Sequence, residues 1–173
     1  MQSVDVSRVL ASFGGKLVTD SDGSYWRFAI EPFVLDVEPF NFGPSWGFDC
    51  SLEHREFSVL ANLISGEPKN AFVCLHWFQI IQKSGEALEQ LVREALSTAS
   101  SKSLSAYVEE LKAYIPERSV PQICHLAALA LDKDFLKLME YQEAFKLGRR
   151  LGFVPVITST MIDRATDIAL AGL

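Results

Sequence analysis

Apolar residues recur at helical spacing at the start of the chain, at Val4, Val6, Val9, Leu10 and Phe13. The pattern stops at Gly14-Gly15, as a helix does when a glycine adopts the left-handed conformation that closes it. A short N-terminal helix is predicted. From Lys16 to Glu53 the period falls to two. Trp26, Phe28 and Ile30 alternate with Tyr25, Arg27 and Ala29, and Phe33, Leu35 and Val37 alternate with Val34, Asp36 and Glu38. Trp46, Phe48, Cys50 and Leu52 then alternate with Asp49, Ser51 and Glu53. These are half-buried strands, one face apolar and the other polar. Asp20-Ser21-Asp22-Gly23, Glu31-Pro32 and Asn41-Phe42-Gly43-Pro44 separate them with turn-forming residues, and turns this short make neighbouring strands antiparallel.

After the meander, Phe57, Leu60, Ala61 and Ile64 mark a second helix from about Arg55 to Ser65, closed at Gly66. The nearly continuous apolar run from Ala71 to Phe78 reads as a buried strand. Beyond Ser84-Gly85 the period is helical again. Leu88, Leu91, Val92 and Ala95 define one helix, and Leu104, Tyr107, Val108, Leu111 and Ile115 the next. Ser119 and Pro121 supply a cap and first turn, Asp132 caps a further helix, and Gly148 with Gly152 ends it. Thr160 with Asp163 forms a capping box for a last helix, with Thr158 or Ser159 as the alternative cap. The expected fold is α+β: an antiparallel sheet of about four strands in the N-terminal half, packed by a helix-rich C-terminal half. One domain is expected over 1–173, sheet-rich in 1–83 and helical in 84–173, since no linker or low-complexity tract divides it. A helix of the second half must cover the sheet face made by Trp26, Phe28, Phe33, Leu35, Phe48 and Cys50.

Composition narrows the function classes. With 49% hydrophobic and 22% charged residues over 173 positions, the chain has the makeup of a globular domain able to bury a core. The three cysteines are widely spaced and no basic-then-apolar leader opens the chain, which points to a cytoplasmic protein with reduced thiols. No apolar run reaches the roughly 20 residues of a membrane-spanning helix. The net charge of −6 divides as 6 basic against 10 acidic residues through Lys83, and 10 against 12 beyond it. Without a basic stripe, nucleic acid is not an expected partner, and another protein, basic in character, is.

No Gly-rich phosphate loop, zinc-protease helix, nucleophile elbow or paired-cysteine motif occurs. Each histidine lies near a cysteine: Cys50 with His54, Cys74 with His76, Cys124 with His125. Thiolate and imidazole together bind zinc or support nucleophilic catalysis. Only Cys74 and His76, two apart on a strand, would share a face, and buried thiols acting as small core hydrophobes are the ordinary alternative. Tyr25, Trp26, Trp46, Trp77 and Phe78 could line a ligand pocket or belong to the core. Lys146, Arg149 and Arg150 could take a phosphate, or simply answer a helix dipole. On the polar face of the meander Glu31, Asp36, Glu38, Asp49 and Glu53 gather around Arg27 as the sole cation. Such a face can hold a divalent metal, meet a basic protein surface, or remain solvated.

The order of elements in the first half, a helix, three strands, a helix and a strand, loosely resembles the secretion chaperones of bacterial type III systems. Acidic immunity proteins share the bulk traits. Either resemblance implies a small non-enzymatic binder of another protein. The expectation is therefore an acidic interaction protein, without metal or cofactor, that engages a partner through Arg27, Asp36, Glu38, Asp49 and Glu53, and that is able to self-associate as a homodimer. The competing expectations are a small enzyme using Cys74 or His76, or a carboxylate-held metal, and a ligand-binding module without chemistry.

Overall fold

The computed structural model describes residues 3–21, 23–42, 45–66, 74–83 and 86–171, with side chains throughout except at 3–5 and 42. In chain order the elements are α1 (Ser3–Ser12), β1 (Lys16–Asp20), β2 (Gly23–Ile30), β3 (Phe33–Phe42), β4 (Ser45–His54), α2 (Arg55–Ser65) and β5 (His76–Ile81). Five helices follow: α3 (Leu88–Ala99), α4 (Leu104–Lys112), α5 (Ser119–Leu131), α6 (Phe135–Lys146) and α7 (Ser159–Ala171). The fold is α+β, with an antiparallel sheet in the N-terminal half and helices in the C-terminal half.

By contacts the chain groups into two compact units. One holds α1, all five strands and α3; the other holds α2 and α4 to α7. In the first unit the strands form a meander in the order β1-β2-β3-β4-β5, every neighbour antiparallel. Its register pairs Trp26 with Val37, Phe28 with Leu35, Leu35 with Leu52, Val37 with Cys50, and Cys50 with Phe78. One face is therefore apolar across the sheet, and α3 lies on it with Leu88, Leu91, Val92, Ala95 and Ala99 buried. Phe28, Leu35, Val37, Phe48, Cys50 and Leu52 are buried beneath, so a helix of the C-terminal half covers the expected face.

The meander has a fifth strand not expected individually. β1 is only five residues long and mostly exposed, so it carries no apolar alternation to read. The strand expected over Ala71 to Phe78 is shifted instead. β5 begins at His76, Cys74 and Leu75 precede it, and residues 71–73 lie outside the described residues.

The second unit is built around α5. Cys124 to Ala130 are all buried, the signature of a helix enclosed on every side, and α2, α4, α6 and α7 all pack on it. Two polar side chains are buried with it, and both are satisfied. Gln122 donates to the carbonyls of Pro116 (2.6 Å) and Gly152 (3.1 Å) and accepts from the Val154 amide (2.9 Å). The helix starts differ from expectation in detail. Ser119 is the first residue of α5 rather than its cap, which is Arg118, and Asp132 ends α5 while Asp134 caps α6, accepting from the Lys137 amide at 3.2 Å. For α7 the cap is Thr158, whose Oγ1 accepts from the Met161 amide.

Candidate functional site

The face of the sheet opposite α3 carries the side chains of the other strand parity. Across it, Lys16, Arg27, Asp36, Ser51 and Trp77 are successive cross-strand neighbours. On one side of that row lie Glu38, Asp49 and Gln79, then Phe40, Gly47 and Ile81; on the other lie Ala29, Val34 and Glu53. The register therefore brings Arg27, Asp36, Glu38, Asp49 and Glu53 to one surface. Glu31 does not join them: it sits in the turn after β2, off the strand. Nor is Arg27 the sole cation, because Lys16 stands directly opposite it on β1.

The charges on this face are unevenly spent. Arg27 makes a bidentate pair with Asp36, Nε to Oδ1 and Nη2 to Oδ2, both at 2.8 Å. The hydrogen bond to Asp36 raises the Arg27 pKa further, so its charge is permanent. Arg27 also lies over the Tyr25 ring, whose hydroxyl donates to Asp20 at 3.0 Å. Slight burial, and then that bond to Asp20, raise the Tyr25 pKa. The β1–β3 corner is thus internally neutralised. Towards β5 the balance is negative: Asp49 accepts from the Gln79 amide at 2.7 Å, and no salt bridge to Glu38, Asp49 or Glu53 occurs among the described residues. Beside these carboxylates stand two large apolar side chains in the open, Trp77 at 55% and Ile81 at 48% exposure. Sequence reading missed their role because His76 to Ile81 carries large apolar residues on both parities, Trp77 and Ile81 on one and Phe78 and Ile80 on the other, so alternation cannot say which side faces water.

Other expected sites come apart. The aromatic set divides by strand parity: Tyr25 and Trp77 lie on the outer face, and Trp26, Trp46 and Phe78 on the face towards α3, so the five do not line one pocket. Cys74 precedes β5, and the argument that it shares a strand face with His76 fails. Cys50 and Cys124 are buried, and burial pushes both thiols up to about 12, leaving no thiolate at neutral pH. Cys124 donates to the Cys74 carbonyl at 3.6 Å, whereas His125, one residue on, points elsewhere. Its Nδ1 donates to the Leu111 carbonyl at 2.7 Å, which leaves Nε2 to accept from the Tyr141 hydroxyl at 3.0 Å. His125 is a structural group, satisfied at both nitrogens by residues distant in sequence, Leu111 and Tyr141, and not by Cys124.

Arg150 is likewise consumed within the fold. Its guanidinium donates to the carbonyls of Phe153, Val154 and Ile157 and lies over the Phe145 ring, while Lys146 pairs with Glu143. Among the described residues no three of His, Cys, Asp or Glu converge as metal ligands. An open cleft bounded by Phe13, Phe28, Ile30, Leu96, Ser97 and Ser100 presents no titratable side chain. No described helix is long and apolar enough to cross a membrane. The outer sheet face places carboxylates beside the exposed Trp77 and Ile81.

No curated protein and no solved structure matches the chain. A family model does, over residues 3–170, and the chain belongs to that family, DUF6990, a family of unknown function.

Proposed function

We propose that this protein is a non-enzymatic, cytoplasmic interaction protein that holds a basic protein partner on the outer face of its sheet. The observation that carries the reading is the pairing of three carboxylates that join no salt bridge among the described residues, Glu38, Asp49 and Glu53, with the exposed Trp77 on one face of the sheet. An exposed aromatic beside carboxylates can serve as an interface: the ring supplies desolvation energy, and the charges supply steering and register. The Arg27–Asp36 pair is already mutually satisfied, so its part is to fix the adjoining surface, while Glu38, Asp49 and Glu53 meet the partner's cations. Secretion chaperones and immunity proteins are the two kinds of small acidic binder that such a surface fits. The three free cysteines support a reducing compartment.

The test is capture by the immobilised chain at about 0.05 M and about 0.5 M salt, using wild type and the Glu38→Lys/Glu53→Lys variant. A specific polypeptide, retained at low salt and lost at high salt and with the variant, supports the reading. Equal recovery in all arms, with the variant folded, removes it.

A further inference from the structure

We infer that the edge of β5 pairs with the same strand of a second copy, antiparallel and centred on Gln79, to join two sheets into one of ten strands. β5 is the last strand of the sheet, and among the described residues no strand pairs with its outer edge. Natural edges are usually blunted by Lys, Pro, a bulge or extreme shortness. The other edge obeys this rule, since β1 is five residues long with Lys16 and Asp20 at its ends. β5 does not. Its sequence, His-Trp-Phe-Gln-Ile-Ile, has no Lys, Arg, Asp, Glu or Pro.

The pattern along β5 is self-complementary. Opposed residues in an antiparallel pair lie on the same face of the sheet, so a two-fold axis perpendicular to the sheet must pass through a residue rather than between two. With the axis at Gln79, Trp77 faces the second copy's Ile81 and Ile81 faces the second copy's Trp77. The two exposed apolar side chains of the strand thus cover each other twice, as aromatic–β-branched cross-strand pairs. Gln79 meets its own copy, amide to amide, at the axis. On the other face Phe78 meets Ile80. An axis at Phe78 or Ile80 would bring Gln79 against Trp77 or Ile81 and leave one of the two apolar side chains uncovered.

Charge permits this partner. The row Glu38, Asp49, Gln79 runs on through the second Gln79 to the second Asp49, and about three strand spacings, roughly 14 Å, then separate the two Asp49 residues. That exceeds the screening length of about 8 Å at physiological ionic strength, so the acidic strips adjoin without strong repulsion.

Sedimentation of the full wild-type chain from about 1 to about 100 µM is expected to show a monomer–dimer equilibrium, with slower hydrogen exchange at 76–81 as the dimer fills. Raising salt to about 0.5 M leaves that equilibrium in place, because no ion pair forms it, whereas capture of a basic partner is lost; the two readings therefore fail separately. Trp77→Ala removes two symmetric pairs and weakens the dimer by roughly 2- to 30-fold. In a Cys74→Ser background, Gln79→Cys forms an intermolecular disulfide on mild oxidation, because residue 79 meets itself at about 5.5 Å between Cα atoms. Trp77→Cys alone does not, since its own copy lies about four residues, roughly 13 Å, along the strand. A chain that stays monomeric to 100 µM, or a dimer whose 76–81 amides exchange no more slowly than the monomer's, overturns the inference. So does cross-linking through Trp77→Cys but not through a folded Gln79→Cys.

Discussion

At the scale of single residues, the outer face depends on a glycine. Gly47 faces Phe40 across the β3–β4 ladder, and the Phe40 ring lies over it so closely that a Cβ would stand 2.3 Å from the ring. Absence of a side chain at 47 is what leaves room for that ring. Gly47→Ala is expected to destabilise the chain by about 2 kcal/mol through overpacking, measured as a lower urea midpoint at unchanged slope. Adding Phe40→Ala should recover part of that loss, which a purely backbone effect would not allow. Nothing in the sequence marks this contact, because a lone glycine in a strand signals a close approach without naming what approaches. The Arg27–Asp36 pair was half legible. Alternation puts both on one face, but only the register sets them directly opposite, close enough to cancel.

At the scale of elements, local chemistry carried most boundaries. The helix expected from Arg55 to Ser65 is α2, and α1 ends before Gly14, whose φ of 88° is the left-handed closing conformation. Where two equivalent residues compete, local chemistry is ambiguous. Asp132 and Asp134 flank Lys133, which itself takes a left-handed φ of 59°, and either acid could cap α6 by its type. The turn decides for Asp134, leaving Asp132 to pair with Lys112 of α4. Asp134→Ala should therefore cost about 1 kcal/mol, as lost caps do. Asp132→Ala should cost less, because its ion pair is exposed to water and such pairs contribute about 0 to 1 kcal/mol. Urea melts of the two variants, compared directly, give the order; a larger loss at Asp132 would reverse the assignment. The pairing of β5 lay beyond local reading, since its place beside β4 is a contact between distant parts of the chain.

At the scale of the whole molecule, folding ties stability to pH through His125. Burial disfavours the charged imidazole and lowers its pKa, opposed by the bond to the Leu111 carbonyl and reinforced by Lys137. The unfolded chain, with an ordinary histidine near pH 6.5, then binds a proton that the folded one refuses. Stability is full above about pH 6.5 and falls as pH drops below it, at up to about 1.4 kcal/mol per unit, until the folded pKa is passed. Urea melts between about pH 7 and about pH 5 should show this slope, and His125→Gln, which keeps a donor and an acceptor, should flatten it. An unchanged slope in that variant would mean that other groups carry the dependence.

The residue order by itself determined the class of fold, the parity of β2, β3 and β4 and the positions of most helices. Those properties follow from hydrophobic period and turn chemistry, which act between residues close in the chain. Tertiary structure decided which carboxylates keep their charge unpaired, which aromatics divide between the two faces, and where Gln122 and His125 find their partners. Each of these depends on residues far apart in sequence meeting at hydrogen-bonding distance, as Gln122 meets Gly152 and Asp49 meets Gln79. Periodicity tells which side of a strand a residue takes; only the register tells what stands beside it.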